Sequence, residues 1–115
     1  MQKSITLPQS FLDQIGSEYA GTYTVKSLMA SEYLAMMENL ISAKRAEAQL
    51  KDESWNGDVP VTEVRRAVVY AACSKDGSEL PTDLPAKLFE LLASVAVPLN
   101  TLDLKEQQEL FNLFR

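Results

Sequence analysis

The chain has 115 residues, of which 46% are hydrophobic and 23% charged, the composition of one globular domain spanning 1–115 with a modest core. Its 16 acids against 11 bases leave a net charge of −5, which argues against nucleic acid as a partner, because phosphate binding needs a basic surface. There is no histidine and one cysteine, Cys73; this removes the commonest general base, most zinc sites and any internal disulfide.

The N-terminus, MQKSITLPQS, has no long apolar run, and no window approaches the roughly 18 apolar residues of a membrane span. A cytoplasmic, reduced setting with no membrane partner is the expectation.

Ile5 and Leu7 alternate with polar neighbours before Pro8, and Phe11, Leu12 and Ile15 suggest a short helix closed by Gly16. Thr22-Tyr23-Thr24-Val25-Lys26 is β-branched and aromatic with alternating polarity, which reads as a strand. Its expected partner is the Ile5–Leu7 segment, in a two-stranded ribbon.

A long helix is expected from Ser31 as N-cap, with Glu32 in its first turn. Tyr33, Met37, Leu40 and Ile41 form its apolar stripe, flanked by Leu34 and Met36. From Ser42 the pattern turns to Lys44, Arg45, Glu47, Gln49 and Lys51 spaced by alanines, a half that projects into solvent.

After the loop 52–60, the stretch 62–73 (TEVRRAVVYAAC) has no charge beyond Arg66 and carries apolar residues on nearly every side. Such a helix is expected at the buried centre of a bundle, starting at Thr62 as N-cap and ending in the polar turn Ser74-Lys75-Asp76-Gly77. Leu84, Leu88, Leu91, Leu92 and Val95 then form an amphipathic stripe, begun by a Thr82 or Asp83 cap with Pro85 in the first turn and ended by Pro98. Asp103 with Glu106 resembles a capping box for a last helix from Leu104 to Phe114. The expected fold is therefore all-α: four main helices around a central apolar helix, 62–73, with an irregular or β-ribbon N-terminal segment.

One local pattern looks like a metal motif. Asp52-x-Ser54-x-Asn56-Gly57, closed by Glu63, fits the twelve-residue EF-hand calcium template. Ser54 stands where an acid or amide is usual, Pro60 is awkward at the ninth position, and no second loop pairs with it. Trp55, the one tryptophan, reads either as a lid on the core edge or as an interface anchor. Cys73, in an apolar helix with no histidine to activate it, reads as an inert buried thiol. Met36 and Met37 suit either core or an adaptable binding surface. Leu110, Phe111, Leu113 and Phe114 widen the last helix's stripe beyond one face, so the helix either closes the core or awaits a partner helix or another copy of the chain.

Several segments, in order, carry a resemblance. Tyr23-Thr24-Val25-Lys26-Ser27-Leu28 followed by Ser31-Glu32-Tyr33-Leu34 resembles the strand-then-helix opening of the tail assembly chaperones of long-tailed, lambda-like bacteriophages. Ala72-Cys73-Ser74-Lys75-Asp76-Gly77-Ser78-Glu79-Leu80 resembles their helix-end turn, and Leu88 to Asn100, closing in Val97-Pro98-Leu99-Asn100, resembles their next helix. The resemblance spans 22–102. It implies a non-enzymatic protein without a cofactor that binds the tape-measure protein, keeps its long apolar helices from aggregating, helps recruit tail-tube subunits, and is absent from the finished particle. The expected partner surface is Leu110, Phe111, Leu113 and Phe114, then Met36, Met37 and Trp55. The alternatives are a calcium-binding helix pair at 52–63 or an adaptor or regulatory interaction domain.

Overall fold

Alternating side chains and one Asp-Gly turn build a sheet, and the helices cover it. The computed structural model describes residues 1–102 and 104–113, apart from the side chains of Leu104 and Phe111. In chain order the elements are β1 (Gln2–Thr6), α1 (Gln9–Ile15), a 3-10 turn (Ser17–Tyr19), β2 (Thr22–Lys26), α2 (Ala30–Leu50), α3 (Val61–Ala72), β3 (Cys73–Lys75), β4 (Ser78–Glu79), α4 (Ala86–Asn100) and α5 (Leu104–Leu113). The fold is mixed α/β. The four strands form one antiparallel sheet in the order β1-β2-β3-β4.

β2 shows the period of two that makes a half-buried strand. Tyr23 and Val25 are wholly buried, whereas Thr22 and Lys26 face solvent. β1 pairs with it along its full length, from Gln2 opposite Lys26 to Thr6 opposite Thr22. On the other side, Val25 faces Cys73 and Tyr23 faces Lys75. β3 follows α3 without a loop, and Asp76 and Gly77, at φ 50° and 79°, turn the chain into β4. Positive φ at both central residues is what a two-residue hairpin needs, and Asp-Gly supplies it at little cost. Asp76 also fixes the neighbouring strand: its Oδ1 accepts from the Thr22 N–H at 2.9 Å, and its own N–H donates to the Thr22 carbonyl at 2.8 Å.

α4 lies against β2 on one side and α3 on the other, and α2 packs on α3. The core gathers Tyr23 and Val25 from the sheet, Val68, Val69 and Ala72 from α3, and Leu88, Leu92, Ala93 and Ala96 from α4. Leu7, Leu12, Cys73 and Leu80 close its edges.

This overturns the all-α expectation and moves the centre of the molecule. The N-terminal ribbon is half of a four-stranded sheet, and the expected helix-end turn is the hairpin of its other half. Nor is α3 buried all round: Val61 is 80% exposed, Ala71 faces solvent, and Ala67 and Tyr70 are half-buried. The run of apolar letters misled because several are alanines, whose single methyl gains little from burial, of the order of 1 kcal/mol at most. Pro60, not Thr62, precedes the first turn of α3. Pro98 does not end α4, which runs to Asn100. Asn100 holds that last turn to the sheet: its Nδ2 donates to Ala96 O at 2.9 Å and Lys26 O at 3.1 Å, and its Oδ1 accepts from Leu28 N–H at 2.6 Å.

α2 begins where Glu32 Oε1 accepts from the Met29 N–H at 3.0 Å and Glu32 Oε2 binds Lys26 Nζ at 2.8 Å. It runs for 21 residues without one fully buried side chain. The molecule is correspondingly flat, 46 × 45 × 22 Å, with a radius of gyration of 16.7 Å, where a compact chain of this length has about 13 Å. Its accessible surface of 8019 Å² is roughly a quarter above that of a compact monomer of this mass.

Candidate binding surface

The expected contact residues occupy three separate elements. Leu110 and Leu113 project from α5, 41% and 75% exposed; Phe114 lies outside the described residues, as does the side chain of Phe111. Met36 packs against the core, and Met37 beside it is half-buried. Trp55 is half-buried in the loop between α2 and α3, where its Nε1 donates to the Asp58 carbonyl at 2.9 Å and the Arg45 guanidinium stands 6.0 Å from its ring centre. That arrangement ties the loop to the far end of α2 and leaves part of the indole in solvent.

The geometry of 52–63 does not assemble the calcium template's ligands. Asn56 Oδ1 accepts from Asp58 N–H at 3.0 Å, the Asp58 carbonyl accepts from Trp55, and Glu63 binds Lys44 Nζ at 2.5 Å. Three positions that would face the ion thus have protein partners, and no cluster of three or more metal-binding side chains occurs among the described residues. Cys73 is buried, and that burial pushes its thiol up to about 11, which keeps it protonated and unreactive at neutral pH.

Sequence reasoning missed a groove between α2 and α3, with a volume of about 420 Å³. Its apolar lining is Leu40 and Ala43 from α2 with Ala67 and Tyr70 from α3. Along one wall runs a chain of alternating charges. Lys51 Nζ lies 3.1 Å from Glu47 Oε1, Lys44 Nζ lies 3.6 Å from Glu47 Oε2, and Lys44 Nζ also binds Glu63 Oε1. The hydrogen bond to Glu63 holds the Lys44 ammonium above its ordinary pKa, and the one from Lys51 holds the Glu47 carboxyl below its own. The chain stops at Glu63 Oε2, which is buried from solvent and has no hydrogen-bond partner among the described residues.

Arg66 and Tyr70 form the far rim, with the guanidinium 5.7 Å from the ring centre. The same two residues border a second cleft of about 300 Å³ towards the start of α4. There Tyr70 Oη donates to the Thr82 carbonyl at 3.1 Å. The Arg65 guanidinium grips Glu90 with two bonds of 3.0 and 2.9 Å while standing 5.9 Å from the Phe89 ring centre. α3 is therefore fixed to α4 and only loosely covered towards α2. The signal for the groove was present in Ala43 and Ala67, small residues on helices long enough to pack. Which face they take depends on how the helices cross.

No family model, curated protein or solved structure matches this chain. Its functional reading therefore rests on its own residues and on the resemblance of 22–102. Among the described residues, no helix is long and apolar enough to cross a membrane.

Proposed function

We propose that this protein is a non-enzymatic assembly chaperone of a long-tailed phage, which binds the apolar helices of a tape-measure protein and helps recruit tail-tube subunits. In that role it acts in the host cytoplasm and is absent from the finished particle. The observation that carries the reading is surplus surface. A chain this small leaves roughly a quarter more area in solvent than a compact monomer would, and much of that surplus is on helices. Leu34 and Leu50 on α2, Val61 on α3, and Leu110 and Leu113 on α5 are exposed. Large apolar side chains displayed along helices suit a partner that is itself helical, since a groove or apolar stripe accepts anchors spaced at i, i+3, i+4 and i+7. Burying two or three of them contributes roughly 1.5–3 kcal/mol each before ordering costs.

Co-expression with a tape-measure fragment rich in apolar helix tests the reading. The fragment is expected in the soluble fraction only when this protein is present, and it should co-purify with it. A fragment equally insoluble with and without this protein would remove the proposal.

A further inference from the structure

α2 carries a second apolar stripe that the body of the molecule does not use. Tyr33 and Met36 pack against the core, and Leu40 and Ala43 line the groove to α3. Leu34, Met37, Ile41 and Ala48 lie roughly a third of a turn further round the helix, spaced as the a and d positions of a heptad. Leu34 is 60% exposed, and Met37 and Ile41 are half-buried outside the core cluster. Two exposed charges, Glu38 and Arg45, flank this stripe on one side. Seven residues apart, they occupy the same heptad position with opposite sign. Glu32, Lys44, Glu47 and Lys51 are ion-paired within the chain, whereas Glu38 and Arg45 have no ion-pair partner among the described residues. Near the C-terminal end of the stripe, Lys44, Ala48 and Trp55 border a hollow of about 170 Å³, and Arg45 stands over the same indole.

We infer that two copies of this chain pair through α2, antiparallel about a two-fold axis beside Ile41. Glu38 of each copy then meets Arg45 of the other, Ile41 lies against its mate, and Leu34 of each enters the hollow between Ala48 and Trp55 of the other. The charges select a second copy and its direction. An acid and a base one heptad apart complement the same helix run antiparallel. A parallel pair would set Glu38 on Glu38 and Arg45 on Arg45. The antiparallel pair also places each helix's positive end beside the other's negative end. The planar guanidinium can keep its face on the Trp55 ring while its edge donates to the carboxylate. The area suffices: the chain leaves roughly 1,700 Å² more in solvent than a compact monomer would, about twice the roughly 800 Å² that each partner gives a stable dimer. This goes beyond the chaperone reading and does not rest on it. Leu50, on the opposite side of α2, and Leu110 and Leu113 on α5 are exposed and lie outside the seam.

Sedimentation equilibrium of the intact chain over a micromolar concentration series tests this. The mass is expected to rise from 12.8 kDa towards twice that value. Glu38→Arg and Arg45→Glu each set like charges against one another twice across the axis, and each should weaken the dimer about tenfold. Mixing the two variants, or placing both changes on one chain, pairs opposite charges again and should restore the dimer to within about threefold of the native constant. Leu34→Ala empties the hollow twice per dimer and should weaken it about tenfold. Leu113→Ala should leave the constant unchanged. Circular dichroism confirms that each variant is folded. A native chain that stays monomeric throughout, charge variants that dimerise as the native chain does, or a mixture no more dimeric than its components would overturn the inference. So would a monomeric chain that captures a tape-measure fragment and loses it on Leu34→Ala, since the stripe would then belong to that partner. The two proposals fail separately: a dimer that obeys the charge swap while leaving the fragment insoluble removes the chaperone reading and keeps the seam.

Discussion

The sheet–α4 side of this molecule and its α2–α3 side are built from similar letters and do different work. On the first, Tyr23, Val25, Leu88 and Leu92 are wholly buried and interlock across the β2–α4 interface. On the second, alanines and long charged side chains leave a groove, and α2 runs past the body without a fully buried residue. Large apolar side chains that meet a facing element make a core, whereas alanines on a helix leave room that something else can take. Stability should reside on the first side and partner binding on the second.

Five experiments break or sharpen that division. Leu88→Ala removes a fully buried side chain between α4 and the sheet, and urea unfolding should show a loss of about 2–5 kcal/mol. Cys73 gives the next effect. Its folded pKa of about 11 stands above the ordinary thiol value of 9.0. As pH rises from about 9 towards 11 the unfolded thiol ionises first, so the unfolded state is favoured. The contribution is complete below pH 9 and is lost through that window, on the order of 2 kcal/mol. A chemical-denaturation series against pH should show this slope, and Cys73→Ala should remove it.

Asn100→Ala deletes two hydrogen bonds that hold the end of α4 to Lys26 and Leu28, and a third to Ala96 within α4. A loss of about 1–3 kcal/mol is expected, with faster amide exchange at Leu28. Gly77→Ala places a side chain at φ 79°, in open space but in a strained backbone region, and should cost about 1 kcal/mol in thermal unfolding. Leu113→Ala, on the exposed stripe of α5, should move stability by less than about 0.5 kcal/mol. If Leu113→Ala cost as much as Leu88→Ala, the division between a stabilising and a binding side would collapse.

The same contrast explains what the sequence could convey. β2 was legible because its alternation is local: Tyr23 and Val25 inward, Thr22 and Lys26 outward. The α4 stripe was legible for the same reason, through Leu88 and Leu92. β3 and β4 were hidden because Asp-Gly after an apolar helix signals a helix end as readily as a hairpin, and strands of three and two residues carry no period. The burial of α3 was overestimated because alanine counts as apolar in a pattern and contributes little to a core. For the candidate surface, a stripe too wide for one face left two readings of the last helix, core or partner surface, and Leu110 and Leu113 are exposed. The groove did not follow, since its decisive pair, Lys44 and Glu63, belongs to different helices and meets only through the packing of α2 on α3. The calcium template's ligands stay apart for a related reason: spacing alone cannot tell that Glu63 pairs with Lys44.

The most direct test of the account is hydrogen–deuterium exchange of this protein alone and in complex with a tape-measure fragment. The account predicts slower exchange along α2, at the start of α3 and at 105–113 on binding, while β2 and the buried turns of α4 stay as they were. Protection confined to the sheet, or an unchanged α2–α3 side in a complex that demonstrably forms, would contradict it.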